Sequence, residues 1–289
     1  MKVDFINIFL GIVLSAIPLI CLTQSDSSAV NETNKSLQWD PQASFWWEFY
    51  NESTVLEKFD DNLISFSHTK PGLRISGLLG RTAEFYVLLR YGKDMHRDFW
   101  NNRAETGLGL RIKLFKKVFL APYIELIRGY YMDIPDEYPQ PEQKEYDDVR
   151  SGLLFWYGWD NYFSYSSLFS FPLKFWGEMY SDISYYRSQR NNVIGYWHIR
   201  TGFHTMQLWK SCIDVYGVSY VMKDINEDFW NNKAEIGPGI RIKPVSGLDL
   251  TFFIEYLFGT YFGIEGRDPN PYSQQYTDRR MGVIFWIGW

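Results

Sequence analysis

Cysteine is nearly absent. The 289-residue chain holds only Cys21 and Cys212, and the first falls in a stretch read below as a removable leader. One remaining thiol cannot close an internal disulfide, and no spaced Cys/His pairs mark a structural zinc site, so neither framework is expected. Long apolar runs are also scarce. After residues 8–22, no stretch approaches the ~18 apolar residues that suggest a membrane helix. Positive charge is not in excess: 29 Lys and Arg face 34 Asp and Glu, a formal charge of −5. That argues against a general nucleic-acid binder, which needs clustered cations for phosphates.

What is present begins with Lys2 and the apolar run 8–22, followed by Ser- and Ala-rich sequence. This pattern reads as a secretory signal peptide over residues 1–29. The run is about 15 residues, short of the roughly 20 that a spanning helix needs. Cys21 is preceded by Ile20, a poor fit for a lipid-attachment signal. Residues 30–42 are polar and aperiodic and read as a flexible leader. From residue 43 to the end the pattern is alternation.

The alternating part is written twice. Residues 98–113 read DFWNNRAETGLGLRIK and residues 228–243 read DFWNNKAEIGPGIRIK, identical at 12 of 16 positions. The same offset of 130 residues pairs 146–159 (YDDVRSGLLFWYGW) with 276–289 (YTDRRMGVIFWIGW) and aligns Phe45, Trp46, Glu48 and Tyr50 with Phe175, Trp176, Glu178 and Tyr180. Residues 45–159 and 175–289 are therefore expected to be two copies of one unit.

Period two separates the repeated stretch into two faces. Glu105, Gly107, Gly109, Arg111 and Lys113 fall on one side, with Ala104, Thr106, Leu108, Leu110 and Ile112 on the other. The second copy opposes Glu235, Gly237, Gly239, Arg241 and Lys243 to Ala234, Ile236, Pro238, Ile240 and Ile242. Each unit yields about six strands, near 43–53, 62–76, 82–92, 103–115, 118–132 and 147–159, then 173–186, 192–206, 211–223, 233–245, 248–262 and 277–289. Connections at 77–81, 115–117 and 245–247 are short, whereas 93–102, 133–147, 223–232 and 265–277 are long and polar. Short turns at one rim and long loops at the other predict an all-β fold: a transmembrane antiparallel barrel of about 12 strands spanning 43–289. The mean hydropathy of −0.28 does not oppose this, because alternating faces average to neutral. A soluble barrel or paired sandwich would turn the apolar face inward instead.

The chain ends Arg280-x-Gly282-x-x-Phe285-x-Ile287-x-Trp289. This resembles the assembly signal of bacterial outer-membrane barrels, which implies an outer-membrane location, contact with outer-membrane lipid and delivery by the barrel-assembly machinery. More loosely, the Trp- and Tyr-rich repeat looks like the barrel modules of exopolysaccharide-export and phage-adsorption proteins.

On the barrel reading the charged face is the lumen. Glu105, Arg111, Lys113, Glu125, Arg150, Glu235, Arg241, Lys243, Glu255 and Arg280 are the candidate lumen or solute-lining residues, accompanied by Glu48, Glu84, Arg90, Asp148, Glu178, Asp214 and Asp278. They either seal a narrow barrel with ion pairs or guide a small polar or saccharide solute through it. Trp46, Tyr86, Trp156, Trp176, Tyr216 and Trp286 either stack on sugar faces or fill space, and the four repeated glycines make room for Tyr123, Trp156 and arginine side chains. None of His68, His96, His198 and His204 is read as recurring in the other unit, and no family motif surrounds them, so an interfacial lipid-modifying enzyme using His198 or His204 is the least favoured reading. No catalytic residue, metal or cofactor is expected. Asp98, Phe99, Trp100, Asn101 and Asn102 read as a structured external loop with Asx turns.

Overall fold

The structure, a computed structural model, describes residues 41–288 apart from 79–80, 97–100, 116–117, 133–142, 164–172, 209–210, 227–230, 246–247 and 263–272. The expected signal peptide, nearly all of the leader, the Asp98–Trp100 part of the repeated loop and Trp289 lie outside the described residues. The strands are β1 Gln42–Leu56, β2 Asn62–Leu78, β3 Arg81–Asp94, β4 Arg103–Lys113, β5 Phe119–Tyr131 and β6 Glu145–Phe163. They continue as β7 Leu173–Tyr186, β8 Asn192–Leu208, β9 Ser211–Asp224, β10 Lys233–Lys243, β11 Asp249–Tyr261 and β12 Gln275–Gly288. Each pairs antiparallel with its chain neighbours, and β1 pairs with β12, from Glu48↔Gly288 to Leu56↔Arg280, so the sheet closes into a 12-strand barrel with no free edge. Closure satisfies every strand's ladder internally, which is the condition for crossing hydrocarbon with β structure.

Two features depart from the expected pattern. Strands β1 and β2 run to a tight hairpin at 57–61, and β7 and β8 to another at 187–191, on the rim that carries the long connections. Asp60 and Asp61 (φ 52° and 56°) and Arg190 and Asn191 (φ 54° and 56°) adopt left-handed backbone. Paired positive φ values match strand twist in the tightest hairpins, so the strands extend to the turn instead of stopping near residue 53. Strand β6 is longer than expected as well, because β7 pairs with it down to Phe163↔Leu173.

The barrel is polar inside and apolar outside. In register across β3, β4 and β5, the outward set Phe85, Leu110 and Ile124 neighbours Val87, Leu108 and Leu126. Leu108 is 64% exposed, and Phe85, Val87, Ile124 and Leu126 are also exposed, as are Ile236, Phe252, Ile254 and Phe258 on the other side. An apolar band this continuous exceeds what a water-soluble surface carries, and it sets the soluble barrel aside. Inside, Trp46, Tyr86, Leu88 and Ile127 form one buried cluster, and Trp176, Tyr216, Val218, Tyr220 and Leu257 form another.

Of the four repeated glycines, Gly109 and Gly239 make room for tyrosine rings, whereas Gly107 and Gly237 lie against the backbone of β5 and β11. The Tyr86 ring lies on Gly109 and the Tyr216 ring on Gly239, each so close that a Cβ would overlap ring atoms. The hydroxyls then donate to Glu125 (2.9 Å) and Glu255 (2.8 Å). Tyr123 packs on Gly152 instead, and Trp156 and Trp286, expected to fill the lumen, are 50% and 42% exposed. Gly109→Val should displace Tyr86 and cost about 1–3 kcal/mol of overpacking. The check is the temperature at which the folded, fast-migrating gel form is lost; an unchanged transition would contradict the packing described.

Candidate functional site

The lumen charges form a string of alternating sign. Along the β1–β6 wall, Arg74 Nε donates to Glu84 (2.8 Å), and Glu84 also pairs with Arg111 and with Lys113 (2.9 Å). Arg111 Nη2 continues to Glu48 (2.9 Å), Lys70 lies between Glu48 (3.9 Å) and Glu125 (3.5 Å), and Arg90 joins Glu125 (3.3 Å) to Glu105 (2.8 Å). Arg150 connects Glu105 (2.9 Å) to Asp148 (2.9 Å). The carboxylates of Glu84, Glu105, Glu125 and Asp148 are almost fully shielded. A charge so placed is tolerated only when paired and hydrogen-bonded. In-register neighbours supply two of the pairs, Glu84↔Arg111 and Arg90↔Glu105, whereas Glu125, in register with Arg150, takes its cations from Lys70 and Arg90.

The β7–β12 wall repeats the string with substitutions. Arg241 joins Asp214 (2.7 Å) to Glu178 (3.5 Å), and Arg200 joins Glu178 (3.2 Å) to Glu255 (3.3 Å). Arg280 joins Glu235 and Asp278, the latter at 2.8 Å. Tyr220 occupies the position corresponding to Arg90 and donates to Glu255 (2.8 Å), so the ionic string breaks there. The missing cation comes from the rim. Lys58, in the single 3-10 turn Glu57–Phe59, reaches inward to Glu235 (3.4 Å) and lies over the Tyr276 ring (3.8 Å). Its backbone N–H donates to Asp278 (3.2 Å), as the Ser188 N–H does to Asp148 (2.8 Å).

Between the walls, β1, β2, β7 and β8 present half-buried aromatics. Tyr50 stacks on His68 (5.5 Å, 22°) and Tyr180 on His198 (5.4 Å, 26°), with Tyr196 edge-on to His198. His68 and His198 are 130 residues apart, which corrects the reading that neither recurs in the other unit. Their flanking sequences, FSHTK and YWHIR, share too little for the match to stand out.

Every candidate lumen residue faces inward, and the sequence pattern found them by parity. Lys243 is brought in least: it lies 3.9 Å from the exposed Asp249, whereas its counterpart Lys113 reaches Glu84. Asp214 is one methylene shorter than Glu84 and already holds Arg241. Lys58, Lys70, Arg74 and Arg200 were missed. Arg200 and Lys70 sit among alternating neighbours and were readable; Lys58 lies in a turn, where parity says nothing.

The repeated Asn pair is structural. Asn62 Nδ2 (3.0 Å) and Asn101 Nδ2 (2.6 Å) donate to Asp94, whose own N–H donates to Asn102. Asn192, Asn231 and Asn232 hold Asp224 alike. Of the assembly-signal residues described, Gly282, Phe285 and Ile287 lie on β12 opposite Thr54, Asn51 and Phe49 of the closing strand.

An inside-out closed barrel with ion-paired lumen walls is a membrane-spanning β-barrel of the bacterial outer-membrane kind. No protein-family model matches the chain, and no curated protein sequence matches it. Among solved structures, it is similar to the β domain of the Bordetella autotransporter BrkA (9% identity, 84% of this chain and 98% of that one, TM-score 0.39). It is similar also to the translocator domain of autotransporter NalP from Neisseria meningitidis (11%, 96% and 98%, 0.29) and to Pseudomonas aeruginosa OprD (10%, 86% and 95%, 0.28). At such identities the likeness says nothing of activity, which is argued below from this barrel's own interior.

Desolvation, with Lys233 and Arg280 close by, lowers the Lys58 ammonium to about 7, against the opposing pull of Glu235 and Asp278. The released chain titrates near 10.5, so between those values the unfolded state binds the extra proton and stability rises with pH. Below about 7 both states are charged and the penalty is constant. Urea unfolding of wild type and Lys58→Met should therefore show the wild type gaining relative stability from pH 7 to 10.5 and none below 7; a difference that falls with pH would reverse the assignment.

Proposed function

We propose that the protein is an outer-membrane barrel, exported with a cleaved signal peptide, that forms a narrow conduit for a small polar or saccharide solute. One observation carries this reading. The lumen charges are consumed in two ion-paired walls, which leaves the half-buried Tyr50, His68, Tyr180, Tyr196 and His198 as the groups a solute would meet, beside the paired but less shielded Glu48 and Glu178. Stacked rings with carboxylates beside them suit the flat apolar faces and hydroxyl edges of a sugar. Paired walls also keep the field along the slot weak, which favours neutral over ionic solutes. The barrel is proposed to meet outer-membrane lipid along its apolar band, and to be closed at the β1–β12 seam by the assembly machinery.

A second reading, a closed structural or adhesion barrel that displays its long loops, is favoured by the near-complete shielding of Glu84, Glu125 and Glu255. Planar-bilayer recordings separate the two. The conduit should show a small steady conductance that rises several-fold when Tyr50→Ala and Tyr180→Ala are combined, and sugar uptake into proteoliposomes should follow. Silence in both proteins, with folding intact by gel migration, would leave the closed barrel.

A further inference from the structure

At the end of the lumen opposite the long loops, the two walls differ in a correlated way. Where the first carries Arg74, Thr82 and Glu84, the second carries His204, Cys212 and Asp214, each 130 residues on. Arg74 and Glu84 make an ion pair (2.8 Å). Their counterparts do something else. His204 Nδ1, Cys212 Sγ and Asp214 Oδ1 converge, all within 4.8 Å of one another. Sγ is 3.1 Å from both Nδ1 and Oδ1, and Nδ1 contacts Oδ1 directly. His204 and Asp214 are register partners across the β8–β9 hairpin, and an irregularity immediately after His204 shifts the register so that Cys212 falls beside them. Such bulges commonly re-aim side chains at functional positions.

Hydrogen bonds close only two edges of this triangle, with Nδ1–H and S–H both donating to Asp214 Oδ1, and leave the Sγ–Nδ1 contact of 3.1 Å without a proton. Nδ1 either donates to Asp214 or accepts from the thiol, and the single thiol proton serves one partner only. His204 Nε2 is buried without a hydrogen-bond partner, 3.9 Å from Asp160 Oδ1. Nor is it a nucleophile–base–acid relay, because Cys212 and Asp214 meet the same ring nitrogen instead of opposite ones. A cation at the centre would satisfy all three edges. The thiolate, imidazole and carboxylate set suits zinc, whose bonds of about 2.0–2.3 Å require the two sulfur edges to open by about half an ångström and the Nδ1–Oδ1 edge by about one. The surroundings fit a metal site too. Arg241 Nε holds the other Asp214 oxygen (2.7 Å), Trp176 packs against His204 and under Arg241, and Asp160 stands where the freed Nε2–H would donate. Second carboxylate and guanidinium partners of this kind orient metal ligands.

We propose that His204, Cys212 and Asp214 form a zinc site at this end of the lumen, with Asp160 and Arg241 orienting the ligands and a fourth position open to the lumen. It departs from the expectation, drawn from sequence, of no metal site. That expectation looked for spaced Cys/His pairs, whereas here the hairpin register assembles the ligands. The mature protein, folded in detergent and titrated with zinc and separately with cobalt, tests it. The expected result is one metal per chain, a sulfur-to-cobalt charge-transfer band, and zinc protection of Cys212 from alkylation. Cys212→Ser should abolish the band and weaken zinc at least about 100-fold with the gel-migration fold intact, and Asp160→Asn should weaken it about 10- to 100-fold. No binding at micromolar zinc, or one bound metal without the sulfur band or unaffected by Cys212→Ser, would overturn the proposal. The wild-type spectrum and alkylation assay decide it even if a variant fails to fold.

Discussion

A carboxylate on the inner face of a narrow barrel has given up water and must find a cation within one strand spacing. That requirement organises the whole interior. It explains why acids and bases alternate along each wall, why arginine predominates at the junctions, and why the tyrosines point their hydroxyls at Glu105, Glu125, Glu235 and Glu255. Arginine's fork of donors bonds two carboxylates at once; Arg111, Arg150 and Arg241 do so here, each with its guanidinium over an aromatic ring. Outside, the opposite demand holds: side chains there must carry no charge the surroundings cannot solvate. The one described ion pair on the outer wall that joins strands, Arg128 with Glu145, sits at a strand end beside the long loops.

The same constraint shows how the two walls tolerate difference. Replacing the cation of position 90 by Tyr220 leaves Glu235 short of a partner, and a lysine from a turn far away in sequence fills the gap. The walls need a partner for every carboxylate, not the same residues. Position 74 becomes His204 without penalty only because Asp214 still has Arg241.

Much of this was legible in the chain. Period-two alternation separates the faces without ambiguity, so strand number, the inside-out character and the direction of Glu105, Arg111, Glu125 and their counterparts follow from parity alone. The extension of β1 to the turn at Asp60-Asp61 was not legible from alternation, whereas the 187–191 connection falls between the strands as expected. The placement of Lys58 was hidden because turns have no faces. The His204, Cys212 and Asp214 grouping was hidden because it depends on a one-residue register shift between paired strands. The His68 and His198 correspondence was present at the repeat's offset but masked by divergent neighbours. Exposure of Trp156 and Trp286 reflects distance along the barrel axis, which alternation does not encode.

The inward-tucked hairpins have one more consequence. The amide of Lys58 grips Asp278 of the last strand, and the amide of Ser188 grips Asp148 of the sixth. Each hairpin follows the first strand of a six-strand set and clasps the final strand of the set adjoining it. The closing seam and the midpoint of the sheet are thus fastened by the same rivet. A ring fastened this way has no privileged joint: to its own chemistry, the place where the chain begins and ends is one more junction.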